Sequence, residues 1–338
     1  ERYKLYGYWQ HVMYDSYVEL WCQREDARRD TRYLLRRYRV DETSQKSLGR
    51  MFARYINGQP VLVFDLVLKQ LQSYCGNVAT VVDGFRYLSS LDRDVLIWQI
   101  LCQCEKSQRK IRIDTYYEEW FRALCQITGQ FFKNFQDSVD ILPILQYVIN
   151  KLLAGYCDHL LIFRTIINKL TWIEAFGETV TYQQLNCLAG SQLLKQVALH
   201  LDDRYTSMTS STSSRRAKII KKITKTIISN RLLMPMFIAI NKVYATFCYN
   251  YNENEIASFA HFNIIPTQID ILNDMFAELY LFMKHYIHSN KKYQQSLMTQ
   301  YPSLKQLFSE YQMKTSYCFM LKRLLNNNSN NKNNHNNN

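Results

Sequence analysis

From Gln59 onward, apolar residues recur every three to four positions, the spacing of one helix face. Val61 to Leu71 reads as one helix that is apolar on most sides and therefore interior. Pro60 suits its first turn, where a missing N–H leaves nothing unpaired. Val78, Val81, Val82, Phe85, Leu88 and Leu91 carry the pattern on. Asp92 or Asp94 can cap the next helix, which presents Val95, Leu96, Ile100 and Leu101. Asp114 is the expected N-cap of another, with Tyr117, Trp120, Phe121, Leu124, Ile127 and Phe131 inward. Ile141, Leu142, Leu145, Val148, Ile149 and Leu152 follow, and Gly155 stands where a left-handed cap ends a helix. Asp158 opens the next, with Leu160, Leu161, Phe163, Ile166, Ile167 and Leu170.

The flanks are less regular. Residues 4–24 and 25–39 read as two helices, the second strongly basic, and 41–47 as a polar loop. Thr181-x-x-Gln184 is a capping-box pattern. Further helices are expected at 191–200, 215–229 and 231–248, a long one beginning at Pro266, and a last short one at 303–312. A Ser/Thr-rich stretch at 207–214 is expected to be a flexible loop, and 326–338, nearly all Asn, a disordered tail. With 9 Gly and 5 Pro in 338 residues, the turns that sheets require are scarce. The predicted fold is all-α, an extended α-solenoid of HEAT-like helix pairs, with no sequence repeat of fixed period.

Composition narrows the class. A hydrophobic share of 47% excludes a mainly disordered chain. The longest apolar run of the second half, Leu232 to Ile240, contains Pro235 and falls far short of the roughly 20 residues a membrane span needs. A soluble protein is expected, without a membrane partner. The first residue, Glu1, is not a Met, and the chain reads as part of something longer. Nine cysteines at irregular spacing point to reduced thiols in an intracellular compartment.

Catalytic signatures are missing from the sequence. Neither a phosphate-loop pattern, nor G-x-S-x-G, nor H-E-x-x-H occurs. Cys102-Gln103-Cys104 is not zinc spacing, and His285 and His288 lack neighbouring ligands. The acidic pairs Glu118-Glu119 and Asp202-Asp203 are adjacent residues, about 100° apart on a helix, and make no acid/base dyad by themselves. No enzyme, no metal and no cofactor are expected.

Charge is the strongest remaining signal. Basic residues number 42 and acidic ones 29, a net charge of +13. Arg215, Arg216, Lys218, Lys221, Lys222 and Lys225, with Arg231 further on, form a basic strip. Its lysines share one helical face, opposite Ile219, Ile220, Ile223 and Ile227. This is either a phosphate-contacting strip for RNA or DNA or the solvated face of an amphipathic helix. Arg28, Arg32 and Arg36 line up at i, i+4, i+8 and carry the same two readings, with Glu25, Asp26 and Asp30 close enough to neutralise them. Trp98, Trp120 and Trp172 sit at or beside apolar-face spacing, which favours core packing over base stacking.

Several blocks occur in an order that resembles the family of the largest THO complex subunit. They are Arg2-Tyr3-x-Leu5-Tyr6-x-x-Trp9, Gln59 to Asp65 with Gln70-Leu71-x-x-Tyr74, and the densest, Val81-Val82-Asp83-x-Phe85-Arg86-Tyr87-Leu88-Ser89-x-Leu91-x-x-Asp94-Val95-Leu96. Leu145-Gln146-Tyr147-Val148-x-Asn150, Leu160 to Lys169, and Gln184 to Lys195 complete the set. Gln59 and Ser191 depart from the Asn and Gly the family commonly has there. The resemblance runs over residues 2–240 and fades beyond. It implies a nuclear scaffold of the transcription–export machinery, without catalytic residues, that holds other THO subunits and docks a DEAD-box export helicase. It implies a basic helical segment at 1–50 and a helicase-docking module at 51–175, similar to the middle domain of initiation factor 4G. Further solenoid at 176–325 and the tail at 326–338 would follow. Asp83, Arg86, Asp92 and Asp94 could present charge to a partner, or cap and pair internally.

Overall fold

The computed structural model describes residues 1–11, 18–37, 42–73, 78–106, 110, 117–135, 139–171, 221–249, 259–283, 295, 299 and 301–326. Among them the chain is all-α, with an isolated backbone bridge at Tyr117 and no β-strand. It divides into two compact units, one of Glu1–Arg112 with Tyr116–Ile144, the other of Ile113–Thr115 with Leu145–Asn338.

In the first unit, α1 (Arg2–His11) and α2 (Val18–Arg37) precede α3 (Glu42–Gly58) and α4 (Pro60–Ser73). Then come α5 (Val78–Gly84), a 3₁₀ turn (Phe85–Tyr87), α6 (Ser90–Glu105) and α7 (Glu119–Phe135). Residues 18–37 form one helix, not two, because nothing at position 25 breaks it: Glu25 and Asp26 pair with Arg28 and Arg29 across a turn. Pro60 does open α4, whose Val61, Val63, Phe64, Val67, Leu68 and Leu71 are all buried. Helices α1, α2, α3, α6 and α7 pack against α4, which makes it the unit's axis.

Phe85 is the hub of this core. Fully buried on the 3₁₀ turn, it stacks on Phe52 of α3 at 6.1 Å and meets Phe64 of α4 edge-on at 6.0 Å. Phe131 of α7 stands edge-on at 6.4 Å. Where α3 crosses α5, a Cβ on Gly49 would lie 3.1 Å from the Tyr87 ring and 3.4 Å from the Gly84 Cα, so any side chain there would require the Tyr87 ring to give by a few tenths of an ångström.

Helix α6 is buried nearly all round, including Gln99 and Gln103. Their amide nitrogens donate to Asp65 Oδ1 of α4 at 3.3 and 2.7 Å, which satisfies polar groups that burial would otherwise penalise. Lys69 donates to the other oxygen at 2.5 Å, and the Lys106 ammonium to the Gln103 side-chain oxygen Oε1.

The second unit contains α8 (Leu142–Leu153, its first residues belonging to the first unit), α9 (Leu160–Thr171) and α10 (Lys221–Ser229). It continues with α11 (Leu233–Tyr249), α12 (Phe259–Phe282), α13 (Leu304–Ser309) and α14 (Thr315–Asn326). Gly155 closes α8 at φ 93°, as its position implies. Pro266 lies inside α12 and does not begin it. The last helix, α14, escaped the sequence reading. It docks through Tyr317, which stacks on Phe276 of α12 at 3.7 Å and donates its hydroxyl to Asn273. Asn241 of α11 fixes the turn before it, donating to the Gln312 carbonyl at 3.2 Å and accepting from the Lys314 amide at 2.8 Å. Arg164 of α9 reaches two carboxylates of α12, Glu278 at 2.8 Å and Asp274 at 3.4 Å, and Glu278 is wholly buried.

Candidate functional site

The four charged residues of the densest sequence block have different fates. Ser89, not Asp92 or Asp94, is the N-cap of α6, its side chain accepting from the Asp92 amide. Asp92 is the reciprocal member of that capping box: it is buried and accepts from the Ser89 amide at 3.0 Å and hydroxyl at 2.7 Å. Asp94 ties α6 to α1, accepting from the Tyr6 hydroxyl at 2.9 Å and pairing with Arg2 at 3.2 Å. Burial, then the bond to Asp94, pushes the Tyr6 phenol up to about 12. Only Asp83 and Arg86 stay exposed, on either side of the junction where α5 passes into the 3₁₀ turn, and Asp83 accepts from Asn134 of α7 at 2.7 Å.

On α2, Arg28 is half-buried and paired with Glu25 at 2.6 Å, whereas Arg32 and Arg36 are exposed. Arg29 beside them is held by Asp26 at 2.9 Å and Asp30 at 3.7 Å, and Arg37 lies over the Tyr33 ring at 5.3 Å. In the basic strip, Lys221, Lys222 and Lys225 are exposed on α10, while Ile223 and Ile227 are buried on its other side. Arg215, Arg216 and Lys218 lie outside the described residues, as do Trp172, the 181–184 capping pattern and the 207–214 loop. The structure therefore brings the lysines of α10 to one face, buries Asp92, and leaves Asp94 half-buried against α1.

Trp98 is buried against Tyr6, whereas Leu5, Tyr8 and Trp9 of α1 and Trp21 of α2 are exposed. Leu5 and Trp9 are motif positions of the Arg2–Trp9 block, in which the sequence alone did not separate inward from outward faces. The Asp65–Gln99–Gln103 and Arg164–Glu278 links also escaped it, because their partners lie far apart in the chain.

Chemistry has little to work with. Among the described residues no group of His, Cys, Asp and Glu could hold a metal ion. Burial pushes the Cys104 thiol up to about 12 and holds Cys125 and Cys157 well above the ordinary range, which keeps them in the unreactive thiol form. No single described helix is long and apolar enough to cross a membrane.

Residues 52–125, from the middle of α3 into α7, match the model of a family described as the transcription- and export-related complex subunit. The human THO complex subunit 2 is 32% identical over 197 residues, 57% of this chain and 12% of that protein. Over these residues the chain is similar to the THO complex subunit 2 family. The THO complex subunit 2 of Arabidopsis thaliana is 29% identical over 196 residues, again 57% of this chain, and covers 10% of that protein. That of Saccharomyces cerevisiae is 23% identical over 286 residues, 84% of this chain and 17% of the relative. The chain thus spans well under a fifth of the THO complex subunit 2 proteins it matches. Phe52, Phe64 and Phe85, three of the four rings in the cluster, fall inside the family segment.

Proposed function

We propose that the chain is part of a non-catalytic scaffold subunit of a nuclear THO complex. It would hold other THO subunits and dock a DEAD-box RNA helicase, and so couple transcription to mRNA packaging and export. The observation that carries this reading is the coincidence of the family segment with the packed layer from α3 to α7. That layer supplies a rigid body and exposes charge, without a cluster suited to chemistry. Next-but-one helices pack there, α3 on α5, α4 on α6 and α5 on α7, with α4 also reaching α7, and this alternation supports a HEAT-like solenoid with a middle part of the initiation factor 4G type. We place helicase docking within 51–175, with the basic segment 1–50 and the solenoid 176–325 serving other subunits. Asp83 and Arg86 are the exposed contacts. Pull-down of the purified export helicase and THO subunits by the full chain tests the reading, and failure to retain any of them would sink it. Charge reversal at Asp83 and Arg86 is expected to weaken helicase capture at least about tenfold with an unchanged Tm, as loss of an interfacial charge pair does.

A second reading, a module that binds RNA or DNA through basic helices, is favoured by the exposed lysines of α10. Its test is nucleic-acid affinity against salt: Lys221→Glu with Lys225→Glu should flatten the slope. An unchanged slope would dismiss α10 as the contact. The two readings are compatible within one scaffold.

A further inference from the structure

From Arg204 to Asn252 the sequence holds no Asp or Glu, yet it carries nine Lys and Arg. Its described part, α10 and α11, bends by 76° between Ser229 and Leu233. At this elbow stands Arg231, exposed and in the left-handed region at φ 52°. Its amide donates to the Ile228 carbonyl at 3.1 Å, and the Leu232 amide to that of Ile227 at 3.1 Å. This pair of bonds is a Schellman closure. Helix α8 ends by the same pattern, Gly155 to Leu152 at 2.9 Å and Tyr156 to Lys151 at 3.0 Å, and there the left-handed residue is glycine. A Cβ is disfavoured in that conformation because it crowds the following carbonyl oxygen. The same fold thus uses the comfortable residue at one closure and an arginine at the other. A disfavoured backbone kept with a charged, exposed side chain points to a task for that side chain.

Its surroundings name the task. Lys221 and Lys225 share a face at i, i+4 and lead toward the elbow. Among the described residues neither they nor Arg231 forms an ion pair, in contrast to Arg28 and Arg29 of α2. From Lys221 to Cys248 no large hydrophobic residue is exposed. Protein interfaces draw their energy from buried apolar and aromatic anchors; a phosphate backbone needs only unneutralised cations. We infer that Lys221, Lys225 and Arg231 together contact the phosphate backbone of a nucleic acid, the left-handed arginine carrying the charged line around the elbow. This inference rests on the second reading above and adds Arg231 as its distinguishing residue. With phosphates as the only target, RNA and DNA of one sequence should bind alike.

The test uses the full chain and a fluorescein-labelled single strand of about 20 nucleotides, longer than a typical single-strand site, as RNA and as DNA. Anisotropy titrations at several salt concentrations are paired with thermal melting. Arg231→Gly is expected to weaken binding several-fold and to reduce the salt slope by about 0.7, the loss of one single-strand phosphate contact, while the Tm rises. Arg231→Lys should keep affinity and slope. Lys221→Glu with Lys225→Glu should reduce the slope by about 1.4 or more. If the lysine pair matters and Arg231→Gly changes neither affinity nor slope, the elbow assignment falls while the second reading stands. If no variant changes binding, both fall. A Tm that drops for Arg231→Gly, a loss confined to the RNA arm, or equal displacement by polyglutamate of matched charge would each overturn the inference, the last in favour of an acidic protein segment.

Discussion

Replacing Phe85 by alanine removes the ring on which three helices converge. Deleting a buried phenylalanine costs about 3–5 kcal/mol, set by how far the site can collapse. Collapse is restricted here. Phe52, Phe64 and Phe131 are each on a different helix and each fully buried, so no one of them can swing into the vacancy without opening its own contacts. Three aromatic contacts at 6.0–6.4 Å are lost as well, which places the cost in the upper half of that range. Phe85→Leu keeps most of the apolar burial and should cost about 1–1.5 kcal/mol. Amide hydrogen exchange of α4 and α7 reads the effect in the core of this unit directly. A loss of 3–5 kcal/mol should speed their slowest amides by roughly 150- to 4,000-fold. Acceleration of less than about tenfold by Phe85→Ala, or equal effects of Ala and Leu, would refute the hub.

Three further outcomes follow from the same contacts. Arg164→Met should destabilise α9 and α12 by about 3–5 kcal/mol by leaving Glu278 in the interior without its guanidinium, and Glu278→Gln should cost less because Asp274 still faces Arg164; urea titration reads the order. Ser89→Ala should cost about 1 kcal/mol through the lost cap of α6, read as faster exchange of the Asp92 amide. Tyr6 holds its proton more tightly folded than unfolded, its pKa raised from 10.0 to about 12, so that share of stability is complete below pH 10.0 and declines as pH climbs toward about 12. Tyr6→Phe should flatten this decline in urea midpoints, and an unaltered decline would count against the Tyr6–Asp94 tie.

The helical class was legible because burial follows helical spacing: Val61 to Leu71, Val78 to Phe85 and Phe121 to Phe131 read in the sequence as they pack. Pro60 and Gly155 marked a start and an end through backbone chemistry alone. Asp92 and Asp94 looked equivalent, since a cap is recognised by type and spacing, and Ser89 competed for the same helix start with a better-placed hydroxyl. Pro266 misled for the converse reason: a proline suits a first turn, yet here the helix runs through it from Phe259. The charged links of Asp65 and Arg164 join residues far apart in sequence, where periodicity carries no information. Arg231 gave no signal but its charge, because residue type marks left-handed backbone reliably only at glycine.

The ring cluster around Phe85 also bears on how the molecule is made. On the ribosome, Phe52 and Phe64 emerge first, Phe85 next, and Phe131 last, so the nascent chain carries an open aromatic socket until α7 is complete. The family segment ends at residue 125, inside α7 and ahead of Phe131 and Phe132. A fragment trimmed to that segment would reproduce this half-made state permanently, with Phe85 facing water on the side that Phe131 should cover. The boundary of the family segment and the boundary of a self-sufficient fold are therefore different places.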